Sequence, residues 1–278
     1  MTGFPWGPAL LFCPADRPER YAKALDRADA VILDLEDAVR PADRPRAREA
    51  LAASELDPAR VIVRVNAAGT DDHRADLAAL AATPYTAVMV PKAERPADVA
   101  LLAGLRVIAL CETAAGVMGA PGLAAADGVV ALMWGAEDLV ASLGGTSSRR
   151  ADGRYRDVAR HARSSVLLAA GAAGIAAVDT VHLAIDDHEG LAEEAEDAAA
   201  VGFAATACIH PSQVEIVRRA YRPAEEDVSA ARALLKAAEG TSGVFRFDGR
   251  MVDEPVLAHA RAVLRRASAQ GSGPSSGE

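Results

Sequence analysis

The chain repeats one pattern: a short apolar run, a polar tip, then a stretch whose apolar positions recur at helical spacing. Eight such runs occur: 9-ALLFC-13, 30-AVILDL-35, 60-RVIVRVN-66, 85-YTAVMVP-91, 106-RVIALCE-112, 129-VVALMWG-135, 177-AVDTVHL-183 and 205-ATACIHP-211. Helix-start signals stand between them at Asp16-Arg17-Pro18, Asp71-Asp72 and Arg95-Pro96. Strands alternating with helices build parallel βαβ units, and eight units close into an α/β (β/α)8 barrel of roughly 250 residues. The alternative is an open doubly wound sheet. It would usually carry a glycine-rich phosphate turn after its first strand, and neither G-x-G-x-x-G nor G-x-x-x-x-G-K-[ST] occurs.

The pattern predicts a barrel over 1–221 and a C-terminal extension over 222–267. The extension divides into a helix at about 223–239, the Gly-containing stretch 240-GTSGVFRFDGRMVD-253, and a helix over 254–267. The end, 268-SAQGSGPSSGE-278, is Gly/Ser-rich and is expected to be a disordered tail.

Barrel chemistry gathers where strands end and loops begin. Reading the tips in order gives Asp34, Glu36 and Asp37, then Arg64 and Asn66, Lys92, Glu112, Glu137 and Asp138, Asp186 and Asp187, and His210. Side chains alternate along a strand, so Ile32, Asp34 and Glu36 share one face, and Ile62, Arg64 and Asn66 share another. Arg64, flanked by Val63 and Val65, needs an anion if buried. That anion is either Asp34 or Glu36 on the neighbouring strand or a substrate carboxylate, and both can hold together.

Glu112 and Asp138 close adjacent strands, which run about 4.8 Å apart. They are either ligands of a Mg2+ ion, which needs only one or two protein carboxylates, or acids favouring helix starts. Lys92 is either a solvated lysine or, if desolvated, a Schiff-base nucleophile. The six histidines form no H-x-x-x-H or H-x-H pair, which argues against a histidine-rich zinc site, and His210 is expected to pack at the end of strand 8. The loop 145-GTSSRRADGRYR-156 either holds phosphate groups or is an ordinary solvated loop or subunit contact.

Composition narrows the partners. A formal net charge of −9 argues against general nucleic-acid or anionic-membrane binding. No apolar run is long enough to span a bilayer, and MTGFPWGPALLFCPADRPER lacks signal-peptide features, so a cytoplasmic location is expected. The chain is 51% hydrophobic but only 4% aromatic, so alanine and branched aliphatics must fill the core. The three cysteines, Cys13, Cys111 and Cys208, lack C-x-x-C spacing and are expected to be buried small hydrophobes rather than a catalytic thiol.

The ordered motifs FCPADRPERYAKAL, VILDLEDAV, VRVNAAGT, VMVPKAE, IALCETAAGV, MWGAEDL and CIHPSQ resemble the citrate lyase β-subunit-like family of the HpcH/HpaI aldolase group. The resemblance runs nearly the whole chain, up to GRMVDEPVLAHA. It implies a Mg2+-dependent TIM-barrel lyase, commonly trimeric, that makes or breaks a carbon–carbon bond beside a CoA thioester. Arg64 matches the family's substrate-binding arginine, Glu112 and Asp138 its magnesium ligands, and Asp253 a lid aspartate that reaches a neighbouring subunit's site. Glu112 also counts with Arg64 among the residues meeting substrate. Asp34, Glu36 and Asp37 are expected to support these groups from behind. Substrates implied are citramalyl-, malyl-, citryl- or 3-hydroxy-3-methylglutaryl-CoA, with pyruvate, glyoxylate, oxaloacetate or acetoacetate as the keto acid. A malyl-CoA-type thioesterase and the β subunit of a citrate lyase complex, acting on a carrier-protein thioester, are the alternatives.

Overall fold

The computed structural model describes residues 4–241 and 243–270, without the side chains of 269 and 270. Eight parallel strands close a barrel in sequence order: β1 (Ala9–Pro14), β2 (Ala30–Asp34), β3 (Val61–Arg64), β4 (Ala87–Val90), β5 (Arg106–Cys111), β6 (Val129–Trp134), β7 (Ala176–Asp179) and β8 (Ala205–Cys208), with β8 pairing back onto β1. Between and after them lie α1 (Tyr21–Arg27), α2 (Arg44–Ala52), α3 (Asp71–Leu80), α4 (Ala114–Ala124), α5 (Ala136–Ser142), α6 (Asp157–Ala173), α7 (His188–Val201) and α8 (Pro211–Tyr221).

The barrel interior follows from alternation. Leu10, Ile32, Ile62, Met89, Ile108, Leu110, Met133 and Val178 face inward with Ala30, Ala87, Ala131, Ala205 and Ala207, and Trp6 joins this cluster. Alanines beside longer side chains fill the lumen with little aromatic bulk, as the composition requires. Continued two residues toward the C-terminal ends, the inward series turn polar: Ile32 leads to Asp34, Ile62 to Arg64 and Leu110 to Glu112. The site is therefore an extension of the core.

Several expected elements differ. Strands 3, 7 and 8 end at Arg64, Asp179 and Cys208, so Asn66 and His210 lie in loops. Asn66 does not share the inward face with Arg64: its amide donates to Leu35 O (3.0 Å) and to the buried Asp76 on α3 (2.7 Å). No α-helix follows β4. Only 3-10 turns at Pro96–Asp98 and Ala100–Leu102 fill that connection, where Pro91 and Pro96 withhold backbone donors. Helix α4 is capped by Thr113, whose hydroxyl accepts from Gly116 N–H, so Glu112 precedes the helix instead of opening it.

By its contacts the chain separates into one compact unit ending at Val217 and another starting at Arg218. The second holds α9 (Glu225–Ala238) packed on α10 (Glu254–Gln270), with a two-stranded hairpin of β9 (Phe245–Phe247) and β10 (Arg250–Val252). The hairpin turns on Asp248-Gly249, both with positive φ (46° and 76°), as a two-residue turn requires. Pattern reading had no strands here, because three-residue strands carry too little periodicity. Helix α10 continues through Gln270, and the rest of the expected tail, 271–278, lies outside the described residues.

Candidate active site

A cavity of about 230 Å³ opens at the C-terminal mouth of the barrel. Its charged side is built by β2, β3, β5 and β6 through Asp34, Arg64, Glu112 and Asp138, and its other side by Thr180, Val181, Leu183 and Ile209 after β7 and β8. Phe12, Leu110 and Met133 also line it.

Asp34 and Arg64 are register partners on adjacent strands. The guanidinium forks onto Asp34, Nε to Oδ1 at 2.7 Å and NH2 to Oδ2 at 2.6 Å, and lies 4.8 Å above the Phe12 ring centre. Burial opposes the charge on Arg64, but Asp34 and then Glu36 outweigh it and raise its pKa. Asp34 also accepts from the N–H groups of Glu36 (3.0 Å) and Ala38 (3.1 Å), fixing the turn that carries Glu36 and Asp37. The protein thus supplies the anion expected for Arg64, and the arginine still borders the cavity.

Glu36 bonds the Lys92 ammonium through Oε1, and Asp37 lies 3.5 Å from the same nitrogen. Arg64 NH1 approaches Glu36 Oε2 at 3.2 Å without hydrogen-bond geometry, which leaves a buried carboxylate oxygen with no donor. Burial pushes the Glu36 pKa up, against Arg64 and Lys92. Burial also works against the charge on Lys92, yet its hydrogen bond to Glu36 and the surrounding carboxylates raise its pKa. A Schiff-base lysine must surrender its proton, so Lys92 is set up for the opposite.

Glu112 is 3% exposed. Its Oε1 accepts from Lys92 N–H at 3.1 Å, and its Oε2 packs where a Cβ on Gly135 would come within 2.9 Å. Only glycine leaves room for this carboxylate, a requirement the sequence pattern does not announce. Burial first, then Asp138 and Glu36, push the Glu112 pKa up to about 8, against Lys92 and Arg64. Asp138 does sit in the first turn of α5, as a helix-start acid would, while also lining the cavity. Two mutually repelling carboxylates and a buried oxygen lacking a donor fit a hard divalent cation with its waters. Among the described residues the donors here are carboxylate oxygens without imidazole or thiolate, which suits Mg2+ with its waters better than zinc.

Other candidates stand apart. His210 is exposed and bonds Ser212 (Nδ1 to Oγ, 2.7 Å). Within CIHPSQ the working residue is Gln213, 1% exposed: its oxygen accepts from Ile209 N–H (2.9 Å) and His210 N–H (3.2 Å), and its amide donates to His182 O (2.8 Å). It thereby ties the loops after β7 and β8. Cys13, Cys111 and Cys208 are buried and free, and burial pushes the first two thiols up to about 11 and about 12. In the Arg-rich loop, Arg149 is spent on Glu194, Tyr155 OH (2.6 Å) and Gly153 O (2.8 Å), while Arg150 and Arg154 pair with Asp157 (3.2 Å) and Asp152 (2.6 Å). Arg149, Arg150 and Arg154 thus each have a carboxylate partner within the chain. The loop reaches the site through Ser148, whose hydroxyl donates to Glu137 Oε1 at 2.5 Å. Asp253 follows β10 directly and accepts from Val256 N–H (3.4 Å) at the start of α10.

A closed parallel barrel with an arginine and two carboxylates at its C-terminal mouth has the build of a barrel enzyme. A family model described as HpcH/HpaI aldolase/citrate lyase matches residues 9–211, and the chain belongs to this family. It is 62% identical over 261 residues to a citrate lyase subunit beta-like protein of Mycobacterium tuberculosis, covering 94% of this chain and 96% of the relative. A crystal structure of CitE from M. tuberculosis in complex with magnesium, acetoacetate and coenzyme A is similar at TM-score 0.89 and 61% identity, over 94% of this chain and 98% of that one. A (3S)-malyl-CoA thioesterase of Cereibacter sphaeroides is 34% identical over 278 residues, 94% of each chain. Membership in this family makes the chain a lyase. No described helix is long and apolar enough to cross a membrane.

Proposed function

We propose that this protein cleaves, or forms, a short 3-hydroxyacyl-CoA, giving a keto acid and an acyl-CoA, with Mg2+ as cofactor. The observation that carries the reading is the placement of Arg64 beside Glu112 and Asp138 at one cavity wall. Glu112 and Asp138 would hold the ion, which supplies Lewis acidity at the keto-acid end when bound. Arg64, held charged by Asp34, binds oxygens of the same fragment and stabilises negative charge developing there. Glu36 and Asp37 support the site from its rim, Glu36 through a buried oxygen suited to a bound water.

In the cleavage direction the substrate hydroxyl gives its proton to a water molecule in the cavity, the carbonyl of the keto acid forms, and the carbon–carbon bond breaks. Its electron pair passes to the α-carbon of the thioester, giving an enolate. Asp253 of the partner subunit returns a proton to that carbon, and removes it in the reverse direction. The C-terminal extension serves as the lid that carries it, and the assembly is a cytoplasmic homotrimer. Support for this lid role is the family resemblance and the position of Asp253 at a helix start after a short hairpin.

The keto acid is pyruvate, glyoxylate, oxaloacetate or acetoacetate; the magnesium, acetoacetate and CoA in the CitE structure favour this substrate class. The test is a panel of citramalyl-, malyl-, citryl- and 3-hydroxy-3-methylglutaryl-CoA, assayed with Mg2+ and with EDTA. EDTA-sensitive release of keto acid matched by acyl-CoA is expected, and no release from any of them sinks the reading. The thioesterase relative favours a second outcome, free CoA thiol without matching keto acid.

A further inference from the structure

The turn after β4 holds a lysine where lysine is rarely found. Lys92 has φ of 51°, and among the described residues its only non-glycine companion at positive φ is Asp248 in the hairpin turn. A short polar side chain can compensate such a backbone by local bonding, but lysine cannot. A conformation of this kind persists only where its surroundings impose it.

The surroundings do so from two sides. Below the turn, Ala93 N–H donates to Leu110 O at 3.1 Å, and Thr113 Oγ donates to Glu94 Oε1 at 2.8 Å. Helix α4 meets the turn backbone to backbone, since a Cβ on Gly116 would come within 2.5 Å of Ala93 O. Above it, the Lys92 ammonium is bound by Glu36, with Asp37 at 3.5 Å. The left-handed backbone then presents Lys92 N–H to Glu112 Oε1 at 3.1 Å, while Glu112 Oε2 lies against Gly135 at the cavity wall.

We propose that Lys92 is a positioning residue for the divalent cation. Its ammonium, anchored on Glu36, holds the strained turn whose amide fixes one oxygen of Glu112 and leaves the other for the ion. This rests on the metal role given above to Glu112, and it assigns Lys92 no contact with substrate.

The test is the affinity of the intact protein for Mn2+ alone, followed by loss of the free-ion EPR signal, in wild type, Lys92→Met and Lys92→Arg. Removing a nearby positive charge would by itself tighten cation binding. A positioning role requires the opposite: Lys92→Met binds Mn2+ about tenfold more weakly, the scale of outer-sphere substitutions at metal sites, and Lys92→Arg recovers most of the loss. Mn2+ binding by Lys92→Met as tight as wild type or tighter overturns the assignment, as does a loss that arginine leaves unrepaired. If Lys92→Met does not fold, Lys92→Gln is read against the same two outcomes. Wild type that binds Mn2+ with this Lys92 dependence but cleaves no CoA ester leaves Lys92 its role and defeats the proposed reaction. Wild type that binds no Mn2+ defeats the metal assignment and the role of Lys92 together.

Discussion

Asp34 and Arg64 are opposite each other in the β2–β3 register, and two hydrogen bonds of 2.7 and 2.6 Å join their side chains at the barrel mouth. Removing one partner of a buried pair strands the other charge, at a cost of about 3–5 kcal/mol. Asp34→Ala should lower the unfolding free energy in urea on that scale, raise KM, and leave Mg2+ affinity little changed. Wild-type stability in this variant would mean that Glu36 alone suffices for Arg64.

The raised pKa of Glu112 has a definite sign for stability. The folded protein holds this proton up to about pH 8, whereas the unfolded chain releases it near 4.5. The contribution is therefore fully present below about pH 4.5 and is lost as pH rises through about 8. In EDTA, Glu112→Gln should remove this part of the fall in Tm between pH 5 and 9 relative to wild type. It should also remove stabilisation by Mg2+. Parallel Tm profiles for the two proteins would place the proton elsewhere.

Gly135 is predicted to matter through Glu112. An added methyl would stand 2.8 Å from Glu112 Cβ and 2.9 Å from Oε2. Gly135→Ala should fold, yet lose turnover and Mg2+ affinity by about tenfold or more as the carboxylate is displaced. Calorimetric titration with Mg2+ checks this, and unchanged affinity would show that the wall yields.

Gln213 is predicted to act on stability. Gln213→Leu leaves the N–H groups of Ile209 and His210 and the carbonyl of His182 without their present partner. A loss of about 2–4 kcal/mol in urea unfolding is expected for such unmade bonds. A loss below about 1 kcal/mol, the worth of one ordinary hydrogen bond, would mean that water replaces the amide.

Asp253 is expected to separate turnover from binding. Asp253→Asn keeps an oxygen for Val256 N–H, so the fold and KM should hold while kcat falls by about 100-fold or more. Mixing this variant with Arg64→Ala protein should restore part of the activity if the aspartate serves a neighbouring site. Unchanged kcat would remove Asp253 from the reaction.

Much of the barrel was legible because its strands are apolar runs with polar tips, and the alternation from Ile32 to Asp34 and from Ile62 to Arg64 continues in the structure. The same rule failed two residues on, at Asn66, where the strand had ended and Asp76 captured the side chain. The family motifs singled out Glu112 and Asp138, but neither motif nor spacing disclosed why Glu112 fits. Its room comes from Gly135 and its orientation from a backbone amide, and neither leaves a chemical signature in the sequence. Gln213 was hidden for a similar reason: a buried amide serving two loops looks like any polar helix residue until those loops are placed. For the arginines of 145–156 spacing left two readings open, because their partners Glu194, Asp152 and Asp157 cannot be paired with them by spacing alone.

The cavity wall after β7 and β8 consists of Val181, Leu183 and Ile209 beside Thr180, remote in sequence from the charged groups on β2 to β6. Under the proposed reaction, trimming or enlarging those side chains would alter the space offered to an acyl substituent while the charged groups keep their own supports. On that reading a few aliphatic exchanges would let substrate preference drift, with no need to rebuild the charged wall.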